Sequence, residues 1–227
     1  MLPVLILTYL RAKSVEWQIK TLSDFGVKQF YVAIDGGKNS EERKIQNALI
    51  ESILEISKKN LNLEIRIRQA ATNHGIGVGI TSALEWFFNQ VDYGVVFEDD
   101  LIFHPEIIDY FKNSKGIIDT EENVMMAAGS QFLLDEEAEI GNSSYIHYPM
   151  IWGWASSKEK WRRMFSEMIN DLDDPFTYAI GSKRAFFWSG KERVRRGKID
   201  TWDIPIAYSF IKHKRICLLP SINLVSN

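Results

Sequence analysis

Three consecutive carboxylates, Glu98, Asp99 and Asp100, follow the apolar run Val95-Val96-Phe97. Adjacent anions repel one another, so a cation or a set of hydrogen-bond donors must offset them. Carboxylate oxygens are hard ligands that suit Mg²⁺ or Mn²⁺. Such an ion completes its shell with water and substrate phosphate oxygens, so few protein ligands suffice. The alternative is a solvated turn leading into the next helix. A second candidate is Asp203, in Asp200-Thr201-Trp202-Asp203-Ile204-Pro205. It is either an N-cap aspartate or a general base that takes a proton from a hydroxyl, kept ionised near a helix N-terminus. In the second case Trp202 offers an apolar face to a sugar ring.

Other chemistries find less support. Glycines 75, 77 and 79 do not match the G-x-G-x-x-G dinucleotide fingerprint. They either let backbone approach a ribose or phosphate or form a turn into a helix. His74, His104, His147 and His213 are scattered, with no zinc-ligand spacing, and there is no nucleophile elbow for serine catalysis. A formal net charge of −3 gives no global attraction to nucleic acid or to an anionic membrane. The basic cluster Arg193, Arg195, Arg196 and Lys198 is offset by acids elsewhere. The single cysteine, Cys217, lies in the apolar run Ile216 to Leu219; it reads as core and fits a chain without disulfides.

These groups need a scaffold, and the first half of the chain supplies the pattern of βαβ units. Strands are expected at Val4–Thr8, Gln29–Ile34, Leu63–Ile67 and Gly94–Phe97. Helices carry Val15, Ile19 and Leu22, then Ile45 to Ile56, then Ile80 to Phe88 after a glycine turn over Asn73–Gly79. Ligands of such sheets bind outside the carboxyl ends of the strands, where the acidic triplet falls. His104-Pro105-Glu106 opens a further helix, and Ser156-Ser157-Lys158-Glu159 is a capping-box pattern. From about residue 123 short strands and aromatic loops take over. The 227 residues are therefore expected to form one domain, with a donor half at 1–122 and an acceptor-side half at 123–227. The N-terminal run Leu2 to Leu7 lacks a basic region and is too short for a signal or a membrane span, and no other stretch is long enough. The expected location is cytoplasmic, with at most peripheral contact with the inner membrane.

In order along the chain these segments resemble GT-A glycosyltransferases, in particular the N-acetylglucosaminyltransferase I type and related small bacterial transferases. The resemblance runs through Pro3 to Arg11, Ile34-Asp35-Gly36-Gly37, Asn73-His74-Gly75, Val96 to Asp100, Ile151 to Ala155 with Trp161, Trp202-Asp203 and Pro220 to Asn227. It implies an α/β GT-A fold, a Rossmann-like, mainly parallel sheet flanked by helices, with a mixed acceptor-side half. It also implies a form of the DxD motif in which Asp100 is the direct ligand of Mn²⁺ or Mg²⁺. Thr8, Arg11, Asp35, Asn73, Gly75, Glu98 and Asp99 would bind the donor. Trp152, Gly153, Trp154 and Trp202 would bind the acceptor, and Asp203 would be the catalytic base. The implied reaction is inverting transfer of a hexosyl or N-acetylhexosaminyl group from a nucleoside-diphosphate sugar, with UDP first, to a hydroxyl of a glycan or glycolipid. Relatives continue beyond this chain's last residue with a loop that helps cover the donor, so a C-terminally truncated domain is expected. Two rivals remain: a sugar-binding domain of the same fold, suggested by Trp152, Trp154, Trp188 and Trp202, and a nucleotidyltransferase. The second usually carries a glycine-rich loop after its first strand, where this chain reads Thr8-Tyr9-Leu10-Arg11-Ala12-Lys13. Oligomeric state is left open, since no apolar stripe is left over for a partner.

Overall fold

Apolar runs separated by amphipathic segments build, in the first hundred residues, the succession β1 (Pro3–Thr8), α1 (Ala12–Asp24), β2 (Gln29–Ile34), α2 (Ser40–Lys59), β3 (Glu64–Gln69), α3 (Gly75–Phe88) and β4 (Tyr93–Glu98). The computed structural model describes residues 1–131, 144–172 and 190–227, so Trp188 lies outside the described residues. All of β1 and nearly all of β4 are buried, which is why they read as continuous apolar runs without alternation. β1 pairs in parallel with both β2 and β4, and β2 with β3. Leu7 stands beside Glu98 in this register, so Thr8 and Asp99 leave the sheet together.

The remaining described elements are β5 (Ile102–Phe103), α4 (Ile107–Thr120), β6 (Val124–Ala128), β7 (Ser144–Ile146), β8 (Trp154–Ser157), α5 (Lys158–Leu172), α6 (Asp203–Lys212), β9 (Ile216–Leu219) and β10 (Val225–Ser226). An eight-stranded sheet runs β3-β2-β1-β4-β8-β6-β9-β7, with β5 and β10 paired separately. β8 is antiparallel to both β4 and β6, and β7 to β9. The sheet is thus mainly parallel on the first half and mixed on the second, and it continues through both.

Side chains alternate across β1. Val4 and Ile6 join one core with Val15, Ile19, Leu49, Ile53 and Phe111, while Leu5 and Leu7 join the other with Leu84, Phe87, Trp154, Trp161 and Met164. Each large side chain wholly withdrawn from water contributes roughly 1.5–3 kcal/mol. Cys217 is a fully buried free thiol in the second of these cores.

Three local expectations are corrected. Helix α3 starts at Gly75 and not at Ile80, so Gly77 and Gly79 are helical. Ser156 belongs to β8, where its hydroxyl donates to the Met125 carbonyl at 2.6 Å; the cap of α5 is Ser157, which accepts from the Lys160 amide at 3.3 Å. The short strand β5 precedes His104, and α4 begins two residues after Pro105. Among the described residues no helix is long and apolar enough to cross a membrane.

Candidate active site

The carboxyl ends of β1, β2 and β4 open onto a cavity of about 750 Å³ that contains residues 7–11, Asp35, Asn73, Gly75, residues 98–100 and Asp200 in its walls. Parallel pairing alone brings Thr8 and the acidic triplet together across some ninety residues of sequence. Thr8 Oγ1 donates to Asp99 Oδ2 at 2.6 Å. Arg11 Nη1 donates to Asp99 Oδ1 and to Asp100 Oδ2, both at 2.8 Å. One guanidinium therefore offsets two of the three adjacent anions, while staying more than half exposed itself.

Glu98 receives no hydrogen bond from Arg11, whose charge only partly offsets it. Burial, and then the charges of Asp100 and Asp99, push its carboxyl up to about 7, and Asp203 adds to the same shift. The base candidate is therefore within electrostatic reach of the acidic cluster. Gln18, fully buried on α1, holds the turn beneath it by donating to the carbonyls of Glu98 at 2.8 Å and Leu101 at 3.0 Å. Gln46, equally buried on α2, does the same for the neighbouring strands, donating to the carbonyls of Tyr9 at 3.2 Å and Asp35 at 2.7 Å. Neither glutamine was singled out from the sequence. The available signal was a polar residue on the apolar face of each helix, between Val15 and Ile19 and between Ile45 and Leu49.

Asp35 lies in the cavity wall with its carboxylate already occupied. It accepts from the amides of Gly36, His74 and Gly75 and from Asn73 Nδ2, all within 2.9–3.0 Å at their shortest. Asn73 also donates to the Gly36 carbonyl at 3.0 Å. Together these bonds tie the 73–75 turn onto the end of β2.

Asp203 is the first residue of α6 and is exposed. Its Oδ1 accepts from the Ile204 amide at 2.7 Å and from the Thr201 hydroxyl. Tyr148, exposed and not anticipated, has its hydroxyl shifted upward by burial and by the charge of Asp203.

The tryptophans expected to meet an acceptor divide. Trp154 and Trp202 are 1% and 3% exposed and pack on each other with centroids 6.1 Å apart, so neither presents a ring face to a sugar. Trp154 also packs against Phe88 and Trp161. Trp152 is 42% exposed, and Gly153 turns the chain from it into β8 with its carbonyl accepting from Gly129.

Asp100 presents the hard oxygen chemistry that Mn²⁺ or Mg²⁺ prefers and is partly open. Among the described residues no three His, Cys, Asp or Glu side chains converge to hold an ion by themselves. The donor set fits a cation that takes its remaining ligands from phosphate oxygens and water, and it does not fit a closed protein cage.

This strand order, with its pocket at the carboxyl ends of β1 and β4, matches the GT-A and nucleotidyltransferase-like Rossmann folds. Of solved structures, S. aureus TarS 1-349 superimposes with a TM-score of 0.51 at 12% identity, covering 97% of this chain and 58% of that one. The same protein in complex with UDP-GlcNAc gives 0.50 at 13% identity, covering 97% and 56%. The chain thus spans somewhat over half of these TarS 1-349 chains and 35% of a longer TarS chain, and at such identity the likeness is one of fold. No protein-family model and no curated protein matches the sequence.

Proposed function

We propose that the chain transfers a sugar from a nucleoside-diphosphate donor, UDP first, to a hydroxyl of a glycan or glycolipid, with inversion. The observation that carries this reading is the Thr8–Asp99–Arg11–Asp100 network at the mouth of a nucleotide-sized cavity, with an exposed aspartate, Asp203, in electrostatic reach of it. Arg11, Asp35, Asn73 and Gly75 form the donor wall, with Glu98 and Asp99 below the diphosphate. Trp152, Gly153 and the unanticipated Tyr148 form the acceptor side. Asp203 accepts the acceptor's proton as its oxygen attacks the anomeric carbon from the face opposite the diphosphate. A single displacement needs one base and no covalent intermediate. A divalent ion held by Asp100 would supply Lewis-acid stabilisation of the charge on the leaving diphosphate.

Because Asp100 lacks a complete set of protein partners for a metal, Mn²⁺ and nucleotide are expected to bind together. Calorimetric titration of UDP, UDP-sugars and GDP-sugars, with and without Mn²⁺, tests this on wild type and Asp100→Ala. Metal-dependent binding that is lost in the variant supports the reading. A wild type that binds no nucleotide with or without metal refutes it. Retained binding and donor turnover in Asp203→Asn would remove that residue from the role of base.

A further inference from the structure

Two carboxylates from distant parts of the chain take up the first amides of α3. Asp35, at the end of β2, accepts from His74 and Gly75. Asp200, more than a hundred residues later, accepts from Ile76 at 2.7 Å through Oδ2 and from Gly77 at 2.8 Å through Oδ1. A carboxylate at a helix N-terminus is favoured by the unpaired amides and by the helix dipole. The approach is so close that side chains are excluded. A Cβ on Gly75, which has φ +77°, would lie 2.0 Å from Asp200 Oδ2, and one on Gly77 2.8 Å from Oδ1. The glycines of this stretch therefore admit an aspartate of the chain itself.

Asp200 begins the segment that ends in Asp203. Between them Trp202 is sunk in the core against Trp154, and Thr201 donates to Asp203. Residues 200–203 are thus pinned at one end to the wall of the donor cavity and in the middle to the core. The Asp200 bonds connect this segment directly to the first turn of α3.

We infer that Asp200 is a positioning residue, which clamps the segment carrying Asp203 to the N-terminus of α3 and so fixes the base relative to the bound donor. The inference rests on the reading of Asp203 as base, but the clamp itself can be tested without turnover. Alanine favours a helix interior over glycine. With the clamp in place, Gly77→Ala forces its methyl onto the Asp200 carboxylate and should lower the thermal midpoint. In an Asp200→Ala background the same change should raise it. An equal effect of Gly77→Ala in both backgrounds overturns the clamp.

Positioning is read from release of UDP from a UDP-sugar by the full chain. Asp200→Ala should lower kcat by tenfold or more with donor KM within threefold, and Asp200→Glu should recover part of the loss. An unchanged kcat, or a rise in KM alone, overturns positioning. A wild type with no turnover on any donor would defeat the transferase reading, and with it the link to a base. The thermal cycle would still decide whether Asp200 holds the segment.

Discussion

The donor and acceptor sides of the proposed site are held by different means. On the donor side, the ends of β1, β2 and β4 are locked by buried glutamines from α1 and α2 and by carboxylates whose oxygens are already bonded within the chain. On the acceptor side Asp203, Tyr148 and Trp152 are exposed on loops and at a helix start, with the burial given to their neighbours Trp154 and Trp202. If the proposed function holds, a site built this way would have a nucleotide wall fixed by buried bonds and an acceptor side left to the surface. Substitutions should therefore separate binding of the donor from turnover and from stability, according to the side they touch.

The largest effect is expected at Asp203. Asp203→Asn keeps the size and the bond to Ile204 while removing the basic oxygen, and loss of a general base costs roughly 100- to 10,000-fold in rate. Donor affinity by calorimetry should stay within about twofold by the same logic, since only the proton acceptor is lost. A parallel fall in donor affinity would break the division between the two sides.

Next come the neighbours Trp152 and Trp154, which look alike in sequence. Trp154→Ala should cost about 3–5 kcal/mol in denaturant unfolding, because it empties a site packed by Phe88, Trp161 and Trp202. Trp152→Ala should leave stability within roughly 0.5 kcal/mol, as surface changes usually do, and act on acceptor KM. Equal destabilisation by both would mean that the exposed ring is part of the core.

That pair also marks where sequence reading ends. The donor side was legible because parallel strands buried on both faces and amphipathic helices leave local periodic signatures, and sheet topology then places their carboxyl ends together. The acidic triplet was named on that basis, Thr8 and Arg11 only through the family resemblance, and the structure brings Thr8 onto Asp99 and Arg11 onto Asp99 and Asp100. β8 has no comparable signature. It is four residues long, and its burial is decided by insertion between β4 and β6, partners far away in the chain. Nothing local in Ile151 to Ala155 distinguishes the tryptophan that faces water from the one that does not. The glycines at 75 and 77 were likewise unreadable, since the atom they make room for belongs to Asp200.

A smaller effect is expected from Gln46→Ala. Its amide serves the carbonyls that end β1 and β2, and leaving buried acceptors without a partner costs about 1–3 kcal/mol. Donor affinity should fall along with stability, because Tyr9 and Asp35 both line the cavity. A loss of stability with normal nucleotide binding would show that the donor wall does not depend on this clamp.

The finest test concerns Glu98, the one acid of the triplet that Arg11 does not bond. Burial raises its carboxyl from 4.5 to about 7, so the folded protein binds this proton more tightly than the unfolded chain does. Between those two values the folded state holds more protons, and stability must fall as pH rises through the window. At pH 8 the charged side chain is a net cost to the folded protein, and below about pH 4.5 that cost has vanished. Glu98→Gln mimics the protonated form, so in EDTA it should be more stable than wild type at pH 8 by roughly 3 kcal/mol and nearly equal to it at acid pH. Added Mn²⁺ and UDP should narrow the gap if a cation near Asp100 offsets the same charge. A gap that is the same at both pH values would mean that Glu98 is compensated by something other than its proton, and the donor side would then be as well neutralised at its floor as at its rim.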